Sequence, residues 1–147
     1  LKTIELTSIE EMLAQIEIIR HLYPNISLEK YKNYLEAMIP HNYTQIAIFE
    51  DEECIGLTGL WYGIKLWSGK YMEIDNFIVH PEHRSKVIGK MLTDYVNQKA
   101  TALNCTMIVL DAYTQNFTAH RFYYNQGYYP RGFHFVKTLN EEVDIEL

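Results

Sequence analysis

Cysteine is scarce. Cys54 and Cys105 are the only two in 147 residues. They lie in apolar surroundings without CxxC spacing, which argues against a disulfide framework or a cysteine zinc site and is expected of reduced thiols in a cytoplasmic chain. No apolar run reaches the roughly 18 residues of a membrane helix, and no signal-peptide pattern opens the chain, so no membrane association is expected. The chain begins at Leu1 instead of Met, and an upstream start is expected. Lys and Arg number 13 against 19 Asp and Glu and nowhere cluster. With a net charge of -6, the long-range attraction for nucleic acid is missing. The seven glycines form neither GxGxxG nor a Walker ending of Gly-Lys-Ser/Thr, which excludes both of those nucleotide loops. No repeat, low-complexity tract or linker interrupts the chain, and residues 1–147 read as a single domain.

What is present is an ordinary globular composition, 48% hydrophobic and 22% charged, with 12 tyrosines. The chain should therefore bury a core. Ile4 and Leu6 alternate briefly, then Ser8 and Glu11 have the spacing of a capping box ahead of a helix over 9–22, which Pro24 stops. Ser27 caps a second helix carrying Leu28, Tyr31, Tyr34, Leu35 and Met38. From Thr44 the period changes to two, which predicts a strand to Glu50, an acidic turn at 51–53, a return strand over 54–61, a connection over 62–69 and a third strand over 70–80. A strong helix follows from Lys86 to about Leu103, then a short buried strand over 107–110. Strand, helix and strand in this order imply a right-handed parallel crossover. Asn116 opens a further helix that Gly127 ends, and 128–139 supplies the last strands around a turn at 130–132.

The stretch from Phe77 to Lys90 passes from a strand through a short loop into the strong helix. The first turn of a helix presents unpaired N–H groups and the positive end of its dipole. Amides from Arg84 through Ser85, Lys86, Val87, Ile88 and Gly89 to Lys90 are therefore candidates to cradle a pyrophosphate, with Arg84 and Lys90 adding charge and no metal required. His80, His83 and His120 titrate in the neutral range when unperturbed, but their sequence spacing suggests no metal cage.

Val79, Pro81, Arg84, Val87 and Gly89 resemble the Val-x-Pro-x-x-Arg/Gln-x-x-Gly-x-Gly/Ala loop of the GNAT superfamily of acyl-CoA-dependent N-acyltransferases. Val87 departs from it, standing where the family has glycine. A second segment, Asn116, Ala119, Phe122, Tyr123, Gly127 and Tyr128, resembles that family's Asn-x-x-Ala-x-x-Phe/Leu-Tyr-x-x-x-Gly-Phe. The resemblance implies an α/β (α+β) fold: a mixed, mostly antiparallel sheet of six to seven strands, flanked by about four helices, with a parallel central crossover. It implies transfer of an acetyl or other acyl group from acetyl-CoA (coenzyme A) to an amine of a small molecule or peptide. Pantetheine would pair with the backbone of the central strand at Phe77, Ile78 and Val79, Asn116 would reach pantetheine or its phosphate, and Tyr123 would protonate the leaving thiolate.

An amine of pKa near 10 must lose a proton before it attacks. Asp75 is the first candidate base, on the strand parity of Phe77 and Val79, with Glu73 in reserve. Tyr31, Trp61 and Trp67 are candidate walls of the acceptor site, since aromatic faces hold cations. A second reading, suggested by Val87, is a catalytically weak or inactive acyl-CoA-binding regulatory module, and a third is a structural domain without nucleotide. Edge strands and aromatic surfaces also suit a homodimer.

Overall fold

The computed structural model describes residues 1–84 and 86–140, with Lys86 described by its backbone only. Two compact units divide the chain, Leu1–Leu110 and Asp111–Leu147.

In the first unit, β1 (Lys2–Leu6), β2 (Tyr43–Glu50), β3 (Glu53–Lys65), β4 (Gly69–Val79) and β5 (Met107–Leu110) form one sheet in the order β1-β2-β3-β4-β5. The first four pair antiparallel, and β5 joins β4 in parallel. That parallel pair needs a crossover, and α4 (Lys86–Ala102) provides it, as the strand–helix–strand order predicts. The acidic turn between β2 and β3 is present, with Asp51 at φ 54. β3 is longer than the sequence suggests. The predicted connection over 62–69 continues as strand to Lys65, paired through Tyr62↔Met72, Gly63↔Tyr71 and Ile64↔Lys70. Only the chain at 66–68 turns, and Thr106 Oγ1 donates to the Ser68 carbonyl at this end of the sheet.

One sheet face packs on α1 (Ile9–Leu13), α2 (Ile16–Ile19) and α3 (Leu28–Met38) through Leu6, Met12, Ile16, Leu35, Ala47, Leu57 and Ile78. The capping box forms as expected: Ser8 Oγ accepts from Glu11 N–H at 3.2 Å and Glu11 Oε1 accepts from Ser8 N–H at 3.1 Å. Ser27 caps α3 in the same way, accepting from Lys30 N–H at 3.0 Å. The helix expected over 9–22 is broken in two at Ala14 and Gln15, where Gln15 has φ -105 and ψ 24. Ile16, Ile18 and Ile19 are all buried. One straight helix cannot turn three such close neighbours to the same face, and the break re-aims the second piece.

The opposite face packs on α4, which buries Ile88, Leu92, Val96 and Ala100 in a stripe at helical spacing. The approach is close. A Cβ on Gly56 would lie 2.7 Å from Ile88 Cγ2, so this strand position takes glycine.

The described part of the second unit holds α5 (Phe117–Asn125). Its end is a Schellman turn: Tyr128 N–H donates to the Tyr123 carbonyl (3.0 Å), Gly127 N–H donates to that of Tyr124 (3.1 Å), and Gly127 takes φ 93. The strands expected over 128–139 do not form. Phe133, Phe135 and Leu139 are 84%, 90% and 87% exposed. Strand preference is realised only against a paired, half-buried neighbour, and among the described residues this segment has no ladder partner. Among the described residues the sheet therefore has five strands instead of six to seven, and the break between α1 and α2 brings the α-helices to five instead of about four.

Candidate active site

Most of the first unit's candidate site residues lie along the second half of β4, the loop after it and the start of α4, whereas Tyr31 is in the core and Trp67 is in the turn before β4. The β4–β5 ladder stops at Ile74↔Leu110, while β3 continues beside β4 to Val79↔Gly56. Over its last residues β4 is thus laddered on its β3 side only, among the described residues. His80 N–H donates to the Ile55 carbonyl at 2.8 Å. Because N–H and C=O directions alternate along a strand, the Val79 N–H and C=O face the other side, away from β3. Phe77 alternates with Ile78 in the same sense.

Between Asp75 and Ile78 the strand bulges. Leu57 pairs with Ile78 and Gly59 with Asp75, so the single residue Thr58 stands opposite both Asn76 and Phe77. Asn76 accommodates the extra residue at φ 57. Its side chain is held there, with Nδ2 donating to Tyr23 Oη at 2.7 Å. The bulge overturns the expected parity. Directly paired residues share a face, so Asp75 and Ile78 lie on the α1–α3 face, while Phe77 and Val79 turn to the α4 face. Simple alternation could not show this, although an asparagine inside a strand pattern was the available signal.

Asp75 is half-buried and accepts a hydrogen bond from Trp61 Nε1 at 2.9 Å. Trp61 therefore orients the carboxylate, and it also tilts against Tyr43 with ring centroids 4.9 Å apart. A Cβ on Gly59 would collide with the Tyr43 hydroxyl and the Asp75 carbonyl, so the floor beneath Asp75 is tightly filled. Glu73, opposite Trp61 in the ladder, is half-buried. Of the proposed aromatic walls, Tyr31 is a core ring, 6% exposed, whose hydroxyl accepts from Gln45 Nε2 at 2.9 Å. Trp67 is 55% exposed. The structure thus brings Trp61 to Asp75 and leaves Tyr31 in the core. Sequence reading missed Gln45, which is fully buried and donates to both Tyr31 and Tyr43 (3.1 Å). Burial raises the pKa of both phenols.

The loop after β4 makes a short 3₁₀ turn over Pro81–His83 before α4. Arg84 is exposed. Ser85 lies outside the described residues, as does the side chain of Lys86. Val87 is helical and exposed, so the β-branched residue sits where negative φ is the rule and its amide belongs to the first turn. Ile88 and Gly89 are buried beneath that turn. Lys90 Nζ lies 2.7 Å from Asp94, an ion pair one turn along the helix. This helix end suits an anion, with Arg84 as the exposed cation before it. A cleft of about 440 Å³ beside the loop includes Arg84 and Val87 but also Glu50 and Glu82, whose charge suits no phosphate.

In the second unit Asn116 caps α5, its Oδ1 accepting from Ala119 N–H at 3.2 Å. The cap uses the oxygen and leaves the amide nitrogen as a donor. Tyr123 is half-buried, with its ring 5.7 Å from that of Tyr128, whereas Tyr124 is 57% exposed. Burial pushes the Tyr123 pKa well above its usual value, with a smaller contribution from Tyr128, and pushes Tyr128 up to about 12.

Several solved acetyltransferase structures share this fold. An aminoglycoside acetyltransferase from an uncultured soil metagenomic sample, solved with sisomicin, superposes with a TM-score of 0.80 at 16% identity, covering 95% of this chain and 96% of that one. Glucosamine-6-phosphate N-acetyltransferase from Arabidopsis thaliana gives 0.71 at 17% identity over 95% and 100%. This is the fold those two acetyltransferases have in common with the chain. In sequence, the model of the Acetyltransferase (GNAT) family matches residues 10–128. An uncharacterized N-acetyltransferase of Bacillus subtilis (strain 168), YhdJ, is 30% identical over 120 residues, 81% of this chain and 84% of its own. The chain belongs to the GNAT acetyltransferase family. No helix among the described residues is long and apolar enough to cross a membrane.

Proposed function

We propose that the protein transfers an acetyl group from acetyl-CoA directly to a primary amine of a small molecule or peptide. The observation that carries this reading is the end of β4, where the ladder to β5 stops and Val79 faces away from β3 beside the first turn of α4. An extended amide-bearing arm can pair with such an edge as an added strand would, and a pyrophosphate suits the helix end. The cosubstrate supplies the activated acyl group as a thioester. The remaining work belongs to the chain. The Val79 N–H is a donor for the carbonyl oxygen as charge develops on it. Asp75, aimed by Trp61, takes the proton of the incoming ammonium directly or through a water, with Glu73 as the alternative base. Tyr123, protonated at neutral pH at the ordinary phenol pKa of about 10 and still more firmly when buried, gives a proton to the departing sulfur. Asn116 Nδ2 contributes a donor to the pantetheine or phosphate portion.

The net charge of -6 favours a cationic acceptor. The reading as an inactive acyl-CoA-binding module rests on Val87, and a helical Val87 keeps its amide in the first turn. Titration of acetyl-CoA into the protein by calorimetry tests the proposal. Binding weakened at least tenfold in Arg84→Ala is expected, followed by turnover in an amine screen that Tyr123→Phe and Asp75→Asn reduce at kcat more than at KM. Absence of acetyl-CoA binding by the parent chain would refute it.

A further inference from the structure

On the β2–β3 side of the loop, next to the residues assigned to acyl transfer, three histidines and two glutamates converge. His80 directly follows β4, and its N–H bond to Ile55 fixes it beside the start of β3, where Glu53 stands. The 3₁₀ turn over Pro81–His83 then brings His83 back toward the same point. His80 Nε2 lies 3.7 Å from Glu53 Oε1, and one donor atom from each of Glu53, His80 and His83 lies within 4.8 Å of the other two. His83 Nδ1 is 3.6 Å from Glu50 Oε2. The His21 ring meets that of His80 edge-on at 4.9 Å. A cleft of about 230 Å³, lined among others by Glu17, His21, Glu53 and His80, opens onto the group.

We propose that Glu53, His80 and His83 bind a divalent transition metal ion of the zinc class. Two imidazoles and one carboxylate are a donor set that zinc takes with a further position open to water. Calcium and magnesium prefer oxygen throughout and are disfavoured by the imidazoles. Bond lengths of about 2.0–2.2 Å place the donors of a tetrahedral site roughly 3.3 Å apart, so the three groups need to draw in only modestly. Glu53 can do so through its side chain, which is 60% exposed. Glu50 offers either the fourth ligand or the carboxylate that orients a ligating imidazole. Cys54 also borders the cleft, but its Sγ is engaged with the Gly56 carbonyl at 3.3 Å. Ligation through His80 Nε2 moves the ring proton to Nδ1 and gives up one exposed bond, from Glu82 N–H to that Nδ1 (3.1 Å), which water replaces.

The sequence hides the set because Glu53 comes from the β2–β3 turn and only the fold brings it to the two histidines. An ion held here ties that turn to the segment leading into α4. The metal reading does not depend on the acyl-transfer reading, although His80 directly follows Val79 and His83 directly precedes Arg84.

The test uses the full chain without an affinity tag, stripped with a chelator. CoCl₂ is titrated and followed by visible absorption, and ZnCl₂ is titrated by calorimetry. Binding of one ion per chain is expected, with Co²⁺ bands of low coordination number that Zn²⁺ abolishes. Glu53→Gln and His83→Ala should each weaken binding at least tenfold, while His120→Ala, in the second unit, should leave it unchanged. Glu53→Gln keeps the side-chain shape, and far-UV circular dichroism checks that both variants fold. Absence of one-to-one binding, or binding that survives both substitutions, would overturn the site.

Discussion

The bulge in β4 makes a quantitative prediction about Asn76. The residue sits at φ 57, and its Nδ2 donates to Tyr23 Oη at 2.7 Å. A side chain without asparagine's tolerance of this region is disfavoured there by about 1–2 kcal/mol. The exposed hydrogen bond is worth a net of about 0.5–1.5 kcal/mol. Asn76→Ala loses both and should destabilise the protein by about 2 kcal/mol. Asn76→Gly loses the bond but removes the strain, and its two effects nearly cancel, leaving it within about 1 kcal/mol of the parent. Asn76→Val adds β-branching at positive φ and should be the least stable of the three. Urea unfolding at neutral pH measures all three, and the predicted order is parent and Gly, then Ala, then Val. A valine variant as stable as the glycine variant would refute the claim that left-handed backbone at this position sets the face Asp75 presents.

Leu92 is fully buried in the α4 stripe, and Leu92→Ala should cost about 2.7–5 kcal/mol in the same assay, the range for cavities left by buried leucines. Stability should also fall in alkali. Burial raises Cys54 from 9.0 to about 11 and lifts Tyr43 well above 10.0. A group whose folded pKa is raised gives its full stabilisation below the unfolded value and loses it as pH climbs toward the folded one. The urea midpoint should therefore begin to drop above pH 9.0 and steepen above 10.0. Cys54→Ser should flatten the first part of that fall, and an unchanged profile in the variant would count against the assignment to Cys54.

Local chemistry was legible in the sequence wherever a residue acts through near neighbours. Ser8 with Glu11, Ser27, Asn116 and Gly127 each announce a helix end, and each is found at one. The hairpin around Asp51 and the parallel crossover through α4 follow from period and element order. What sequence could not supply depends on partners far along the chain. The segment 128–139 is expected to supply strands, but among the described residues no ladder partner takes it up. Tyr31 has the aromatic look of a site wall, yet its hydroxyl is turned to Gln45 in the core. The face that Asp75 presents differs from the expected one, because one residue in left-handed backbone inverts the alternation beyond it. Its partnership with Trp61 rests on strand pairing that only the folded sheet displays.

A strand end laddered on one side only, among the described residues, is a hazard as well as the docking edge proposed above. An open strand edge of the kind proposed to take an extended ligand would equally accept a strand from another chain, the usual route to edge-to-edge aggregation. Here the exposure is brief and interrupted. The bulge at Asn76 twists its start, and Pro81, which has no N–H to donate, follows just past its end. The open stretch is short and bent, which disfavours a continuing sheet, so the same irregularity that turns Asp75 also opposes edge-to-edge pairing.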